Sequence, residues 1–160
     1  MIRFSLMNKQ EKDAWLPELF DLLYNNMQSI APHGLGYERE KEEWLANVSP
    51  ALEKETRQIL LCFADQELAG YLQYYTREKL VMVEEVQLKS AYQRTMVFYY
   101  LCRALLELMP EEIVIIEAYA DKRNVNSQGI MKKLGMQQVG EEGGFVHLRG
   151  SVSQAGDWFR

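Results

Sequence analysis

The sequence predicts an α/β domain: a mixed, mostly antiparallel sheet with helices on both faces, in the order β-α-α-β-β-β-α-β-α-β-β. Three observations predict it. The apolar spacing changes from a helical period before Pro50 to strand-like runs after Gln58. A strand, a helix and a strand follow one another between Leu80 and Tyr119, which calls for a right-handed crossover and a parallel pair. Short turns on either side of that unit, at Asp65-Gln66-Glu67 and Gly143-Gly144, make the remaining pairings antiparallel.

Taken in order, Ile2 to Met7 alternates and reads as a short strand. A helix follows, starting between Asn8 and Leu16, with Leu16, Leu19, Phe20, Leu23, Met27 and Ile30 on its apolar face. Pro17 is tolerated only near a first helical turn, so the start is left open within that range. Ala31-Pro32-His33-Gly34 ends this helix. Tyr37 to Val48 reads as a second, with Trp44, Leu45 and Val48 inward and Pro50 closing it. Gln58 to Ala64, Leu68 to Thr76 and Leu80 to Leu88 read as an antiparallel meander. A helix from Arg94 to Met109 buries Val97, Leu101, Ala104, Leu105 and Leu108, and Pro110 stops it. Ile113 to Tyr119 is a continuous apolar run with one Glu, the pattern of an interior strand covered on both faces. Asn124 to Leu134 is a short helix ended by Gly135 as a left-handed cap. Met136 to Glu141 and Phe145 to Val152 form the last hairpin, and Trp158 and Phe159 an apolar tail.

The 160 residues suit one domain, 1–160, with no linker or repeat. The net charge of −5 and the lack of a basic block speak against nucleic acid as a partner. Cys62 and Cys102 each sit in an apolar run, without a Cys-x-x-Cys pair or a His cluster, and read as buried thiols in a reducing compartment. No metal site is expected. The start of the chain shows no signal-peptide pattern, and no run reaches the ~18 apolar residues of a membrane helix. The expectation is therefore a cytoplasmic protein with no membrane partner.

Three segments resemble the GNAT family of acyl-CoA-dependent N-acetyltransferases. Leu61 to Tyr75 looks like the family's central hairpin, its second strand opening with Ala69-Gly70-Tyr71-Leu72. Glu84 to Phe98 resembles its cofactor strand and the Arg/Gln-x-x-Gly-x-Gly/Ala loop that opens the next helix. Gln93 fits the first position of that loop, while Met96 and Phe98 stand where the family has Gly and Gly/Ala. Asn124-Val125-Asn126-Ser127 with Leu134-Gly135-Met136 resembles the Asn-x-x-Ala/Ser segment and its closing Leu-Gly-Phe.

The resemblance implies an acetyl or short acyl group moving from acetyl-CoA (coenzyme A as co-substrate) to a small-molecule or peptide amine. Family members often dimerise, so a homodimer is one of the oligomeric states the sequence leaves open. The family's cofactor residues here would be Gln87, Leu88, Gln93, Arg94, Thr95, Met96, Val97, Phe98, Asn124 and Ser127. Backbone N–H groups at a helix start bind pyrophosphate, and glycines let it come close. Two bulky side chains at Met96 and Phe98 would narrow that seat or else pack the start of the helix. From this departure comes a second reading, an inactive domain of the same fold that binds a regulatory partner.

Amine acylation needs a proton acceptor and a donor to the thioester carbonyl. The resemblance puts a carboxylate on the strand before the loop, where Glu84 and Glu85 point to opposite faces. Glu84 is the preferred of the two, because it shares its face with Val86 and Leu88. A backbone N–H near Gln87 or Leu88 would serve the carbonyl. The family's general-acid Tyr corresponds to Met131, which has no proton to give. Glu117 stands out as a charge in an apolar run, with an ion pair as the alternative to chemistry. His33 and His147 have no partner at a recognisable spacing and read as structural. Tyr119 ends its strand at the presumed cleft, and the loop Ala31 to Arg39 is expected to shape the acceptor pocket.

Overall fold

A computed structural model describes residues 1–159. Seven strands form a sheet in the order β1-β2-β3-β4-β5-β7-β6. They are β1 (Ile2–Leu6), β2 (Gln58–Ala64), β3 (Glu67–Arg77), β4 (Leu80–Leu88), β5 (Ile115–Asp121), β6 (Gln137–Glu142) and β7 (Phe145–Ser151). The helices are α1 (Lys12–Ile30), α2 (Tyr37–Glu53), α3 (Val97–Leu108), α4 (Val125–Lys133) and α5 (Val152–Asp157). The order is the predicted one with two additions, a 3-10 turn at Ser90–Tyr92 and α5. The Ser151 hydroxyl caps α5 by accepting from the Gln154 N–H at 3.0 Å.

The chain packs as two compact units. The first holds residues 1–73 and 85–101. Its core joins Leu16, Leu19 and Leu22 of α1 and Val48 and Leu52 of α2 to Ile59, Leu61 and Phe63 of β2 and Tyr71 of β3. Leu22, not Leu23, is the deeper member of the α1 stripe. Both prolines behave differently from expectation. Pro17 is the sixth residue of α1 and Pro50 lies inside α2, which runs on to Glu53. Each removes one intrahelical donor. Leu16, Leu19 and Phe20 around Pro17, and Val48 and Leu52 around Pro50, are at most 5% exposed, and that burial outweighs the lost bond.

The second unit holds residues 74–84 and the chain from 102 onward. Here β5 pairs in parallel with β4, from Leu80↔Ile115 to Val83↔Ala118. It pairs antiparallel with β7 along its full length, from Ile115↔Ser151 to Asp121↔Phe145. The parallel pair at the crossover is therefore as predicted. The double cover predicted for β5 is not complete. Ile116, Ala118 and Ala120 are buried on one face, but Tyr119 on the other keeps 41% exposure.

Gly135 (φ +91) ends α4 as predicted, its N–H on Lys132 O and that of Met136 on Met131 O, at 3.0 and 3.1 Å. Gly143 and Gly144, both with positive φ, make the two-residue turn between β6 and β7. β6 is an edge strand and carries a bulge between Gln138 and Gly140. Cys62 and Cys102 are buried and unbridged. Burial pushes their thiols up to about 11 and about 12, which leaves neither as a nucleophile at neutral pH.

Candidate active site

The end of β4 is fixed by side chains from two directions. Asn26 of α1 donates from Nδ2 to the Leu88 carbonyl at 2.9 Å and to Gln87 Oε1 at 3.0 Å. Gln93 Nε2 donates to the same carbonyl at 2.9 Å and to Asn26 Oδ1 at 3.2 Å. β3 closes the third side. Lys89 N–H reaches the Ala69 carbonyl at 2.8 Å, and a Cβ at Gly70 would stand 2.3 Å from the Gln87 carbonyl oxygen. The Gly in Ala69-Gly70-Tyr71 is thus required by backbone approach. Gln93, placed first in the cofactor loop by its sequence, uses its side chain to hold the strand end.

From there the chain turns with Arg94 in a left-handed conformation (φ +61) and enters α3 at Val97. Thr95 Oγ1 donates to the Tyr92 carbonyl at 2.6 Å and accepts from Val97 N–H at 3.3 Å. Among the described residues, the backbone N–H groups of Arg94, Thr95, Met96 and Phe98 find no acceptor. Arg94 and Thr95 are exposed. This is an open set of amides around a left-handed residue at a helix start, the geometry that binds oxyanions. The two bulky residues differ. Met96 is 45% exposed, while Phe98 is buried at 8% and packs edge-on to Tyr99 at 6.0 Å. Phe98 therefore packs the helix start, as one of the two sequence readings held, and Met96 lies outward. The reading of an inactive domain finds no support in this arrangement.

The β4 carboxylates separate. Glu85 accepts a short hydrogen bond from the Tyr71 phenol. Burial first, then the Glu85 charge, raises the Tyr71 hydroxyl well above its ordinary value, so the phenol keeps its proton. Glu84 is half-buried. Asn124 is the N-cap of α4, its Oδ1 accepting from Ser127 N–H at 3.2 Å. Met131, where a general acid was looked for, is buried at 7%.

Glu117 is held by two partners across β7. Arg149 reaches Oε1 at 2.5 Å and His147 Nε2 lies 2.9 Å from Oε2. Burial raises the Glu117 carboxyl, but the hydrogen bonds and charges of His147 and Arg149 outweigh it and hold the group below its ordinary range. Tyr119 stacks on the His147 ring at 4.4 Å and 14°. His147, read from sequence as lacking a partner, thus has two. His33 Nδ1 lies 3.5 Å from Glu40. The loop 31–36 leads to Tyr37, whose phenol bonds Asp21 and packs edge-on to Tyr24 at 5.1 Å.

Sequence reasoning missed Asn26. Its signal was present: a poor helix former at i+7 from Leu19 on the apolar stripe of α1, where a polar side chain needs a partner. Among the described residues, no group of three His, Cys, Asp or Glu could hold a metal ion, and no helix is long and apolar enough to cross a membrane.

No family model and no curated protein matches the sequence. Solved structures do match the fold. A PaiA N-acetyltransferase from Thermoplasma acidophilum in complex with coenzyme A superposes with a TM-score of 0.76 at 16% identity, over 94% of this chain and 99% of that one. An acetyltransferase from Thermus thermophilus gives 0.71 at 13%, over 94% and 97%. The aminoglycoside acetyltransferase AAC(6')-Ib in complex with coenzyme A gives 0.69 at 16%, over 96% of each chain. The fold is that of the GNAT acetyltransferases.

Proposed function

We propose that residues 1–160 form one acyl-CoA-dependent N-acyltransferase domain, moving an acetyl or short acyl group to a small-molecule or peptide amine. The open amides at Arg94, Thr95, Met96 and Phe98 carry this reading, in a chain whose fold matches acetyltransferases solved with coenzyme A. These amides and the exposed Arg94 side chain suit a diphosphate, which needs many donors and a positive field. Val97 contributes the first helical turn, and Gln93, Gln87 and Leu88 hold the strand end beside it. Asn124 keeps its Nδ2 amide group, with two N–H donors, beyond its capping oxygen, and we assign one of these to the cofactor's amide-bearing arm, with the Ser127 N–H fixing the rotamer.

Acyl transfer requires the amine in its neutral form. Glu84, half-buried on β4, takes the ammonium proton in this scheme. A backbone N–H at Gln87 or Leu88 faces the charge that develops on the thioester oxygen.

The test is calorimetric titration with acetyl-CoA and coenzyme A, followed by thiol release across a panel of amines. Micromolar binding with turnover on at least one amine supports the reading. Absence of binding at millimolar ligand would overturn it.

A further inference from the structure

The register of β1 on β2 decides which backbone groups of β1 face outward. The ladder is antiparallel from Ile2↔Ala64 to Leu6↔Leu60. At its ends Asp65 N–H donates to the Met1 carbonyl and Met7 N–H to the Ile59 carbonyl, each at 2.9 Å. Hydrogen-bonded and non-hydrogen-bonded pairs alternate along such a ladder, so Arg3 and Ser5 also turn their backbone groups toward β2. Ile2, Phe4 and Leu6 turn theirs the other way. β1 ends the sheet, and among the described residues these outward groups meet no partner.

Little on the strand itself protects that row. No proline or bulge interrupts Ile2–Leu6. Its one charged side chain, Arg3, lies over the Phe63 ring at 4.3 Å. The chain-terminal ammonium is tied back to Asp65 at 3.0 Å. Ile2, Phe4 and Leu6 share the other face of the strand, the first two half-buried and Leu6 43% exposed.

The strand is complementary to itself. Laid antiparallel on a second copy about a two-fold axis at Phe4, it sets Phe4 against the partner's Phe4 and Ile2 against the partner's Leu6. Arg3 then faces the partner's Ser5, so no like charges stand opposite one another. Every outward-turned residue meets an outward-turned residue, and each such pair exchanges both of its N–H···O bonds. A slip of one residue would set outward groups against inward ones and move every side chain to the wrong face.

We propose that β1 pairs with β1 of a second copy, in an isologous homodimer centred on Phe4. The contact lies wholly within the first unit and requires neither acyl donor nor amine.

Sedimentation equilibrium of the full chain reads the dimer Kd, and wild type is expected to dimerise at micromolar concentration. Phe4→Pro removes an N–H that β2 does not use, so the ladder within the chain is kept while the two bonds across the axis are lost. The dimer Kd should rise about thirtyfold. Two double variants test the register without a proline. Ile2→Glu with Leu6→Glu places like charges opposite each other and should leave monomer. Ile2→Lys with Leu6→Glu places opposite charges at the same positions and should dimerise. A monomeric wild type overturns the proposal and leaves the edge to an extended segment of another protein. A wild-type Kd in Phe4→Pro, or equal Kd values in the two double variants, places the contact elsewhere and overturns it too.

Discussion

Two helix starts were marked by the same resemblance, and the structure treats them in opposite ways. At α4 the Asn124 side chain accepts from Ser127 N–H and its carbonyl from Gln128 N–H, so a side chain of the protein caps the first turn, leaving the Val125 and Asn126 amides without an acceptor among the described residues. At α3 the Thr95 hydroxyl donates to the Tyr92 carbonyl and accepts only the Val97 N–H, and four neighbouring amides find no acceptor beside an Arg94 in a left-handed conformation. Unsatisfied amides cost stability unless water or a ligand meets them. In the function proposed above, the acceptor oxygens of the cofactor's diphosphate meet the amides at the α3 start.

The comparison breaks first at Thr95. A carboxylate placed there by Thr95→Glu would repel a diphosphate by about 3 kcal/mol at an effective dielectric near 20, roughly a hundredfold in acetyl-CoA Kd. Calorimetry reads this directly, and an unchanged Kd would show that the phosphates lie elsewhere. Gly70→Ala tests the support behind the open end. Its new methyl would meet the Gln87 carbonyl at 2.3 Å, and backbone there cannot yield as a side chain can. A loss of about 2–3 kcal/mol in unfolding free energy is expected, together with weaker acetyl-CoA binding.

Asn124 sharpens the contrast from the closed end. Asn124→Ala should cost about 1 kcal/mol of stability as a lost cap. Asn124→Asp restores the cap but not the Nδ2 donor. Stability should therefore recover while acetyl-CoA affinity stays low by about 1 kcal/mol, the worth of one hydrogen bond. Full recovery of both would confine Asn124 to capping.

The smallest effect is a pH dependence. The folded Glu117 carboxyl lies below its ordinary value of 4.5. Its stabilising contribution is complete above that value and is lost as pH falls through the lower, folded one. Thermal melts below about pH 4.5 should show a steeper decline in wild type than in Glu117→Gln.

Much of this was legible because it is local. The helical stripe of α1, the Gly143-Gly144 turn, the Gly135 cap and the strand-helix-strand unit each announce themselves within a few residues. The prolines misled for the same reason, since a local rule stops helices that burial of Leu52 or Phe20 carries through. α5 was missed although Ser151 and Gln154 form a capping pair, because the strand pattern ran into it without a break. The partners of His147 could not be read at all. Glu117 lies 30 residues away, and only the register of β5 on β7 brings the two together. Likewise nothing near Leu88 in sequence names Asn26, which lies 62 residues back.

The bulge in β6 has a consequence for the protein in concentrated solution. An edge strand offers unpaired backbone groups to any other chain that can lie alongside it. Here the row is interrupted between Gln138 and Gly140, and the stretch that follows carries Glu141 and Glu142. A second copy approaching this edge would meet a broken ladder and like charges. At the opposite edge the Arg3 guanidinium of β1 lies inward, over the Phe63 ring of β2 at 4.3 Å, and so does not guard the outer side of β1. The β6 border of the sheet thus discourages strand addition, and with it the growth of fibres.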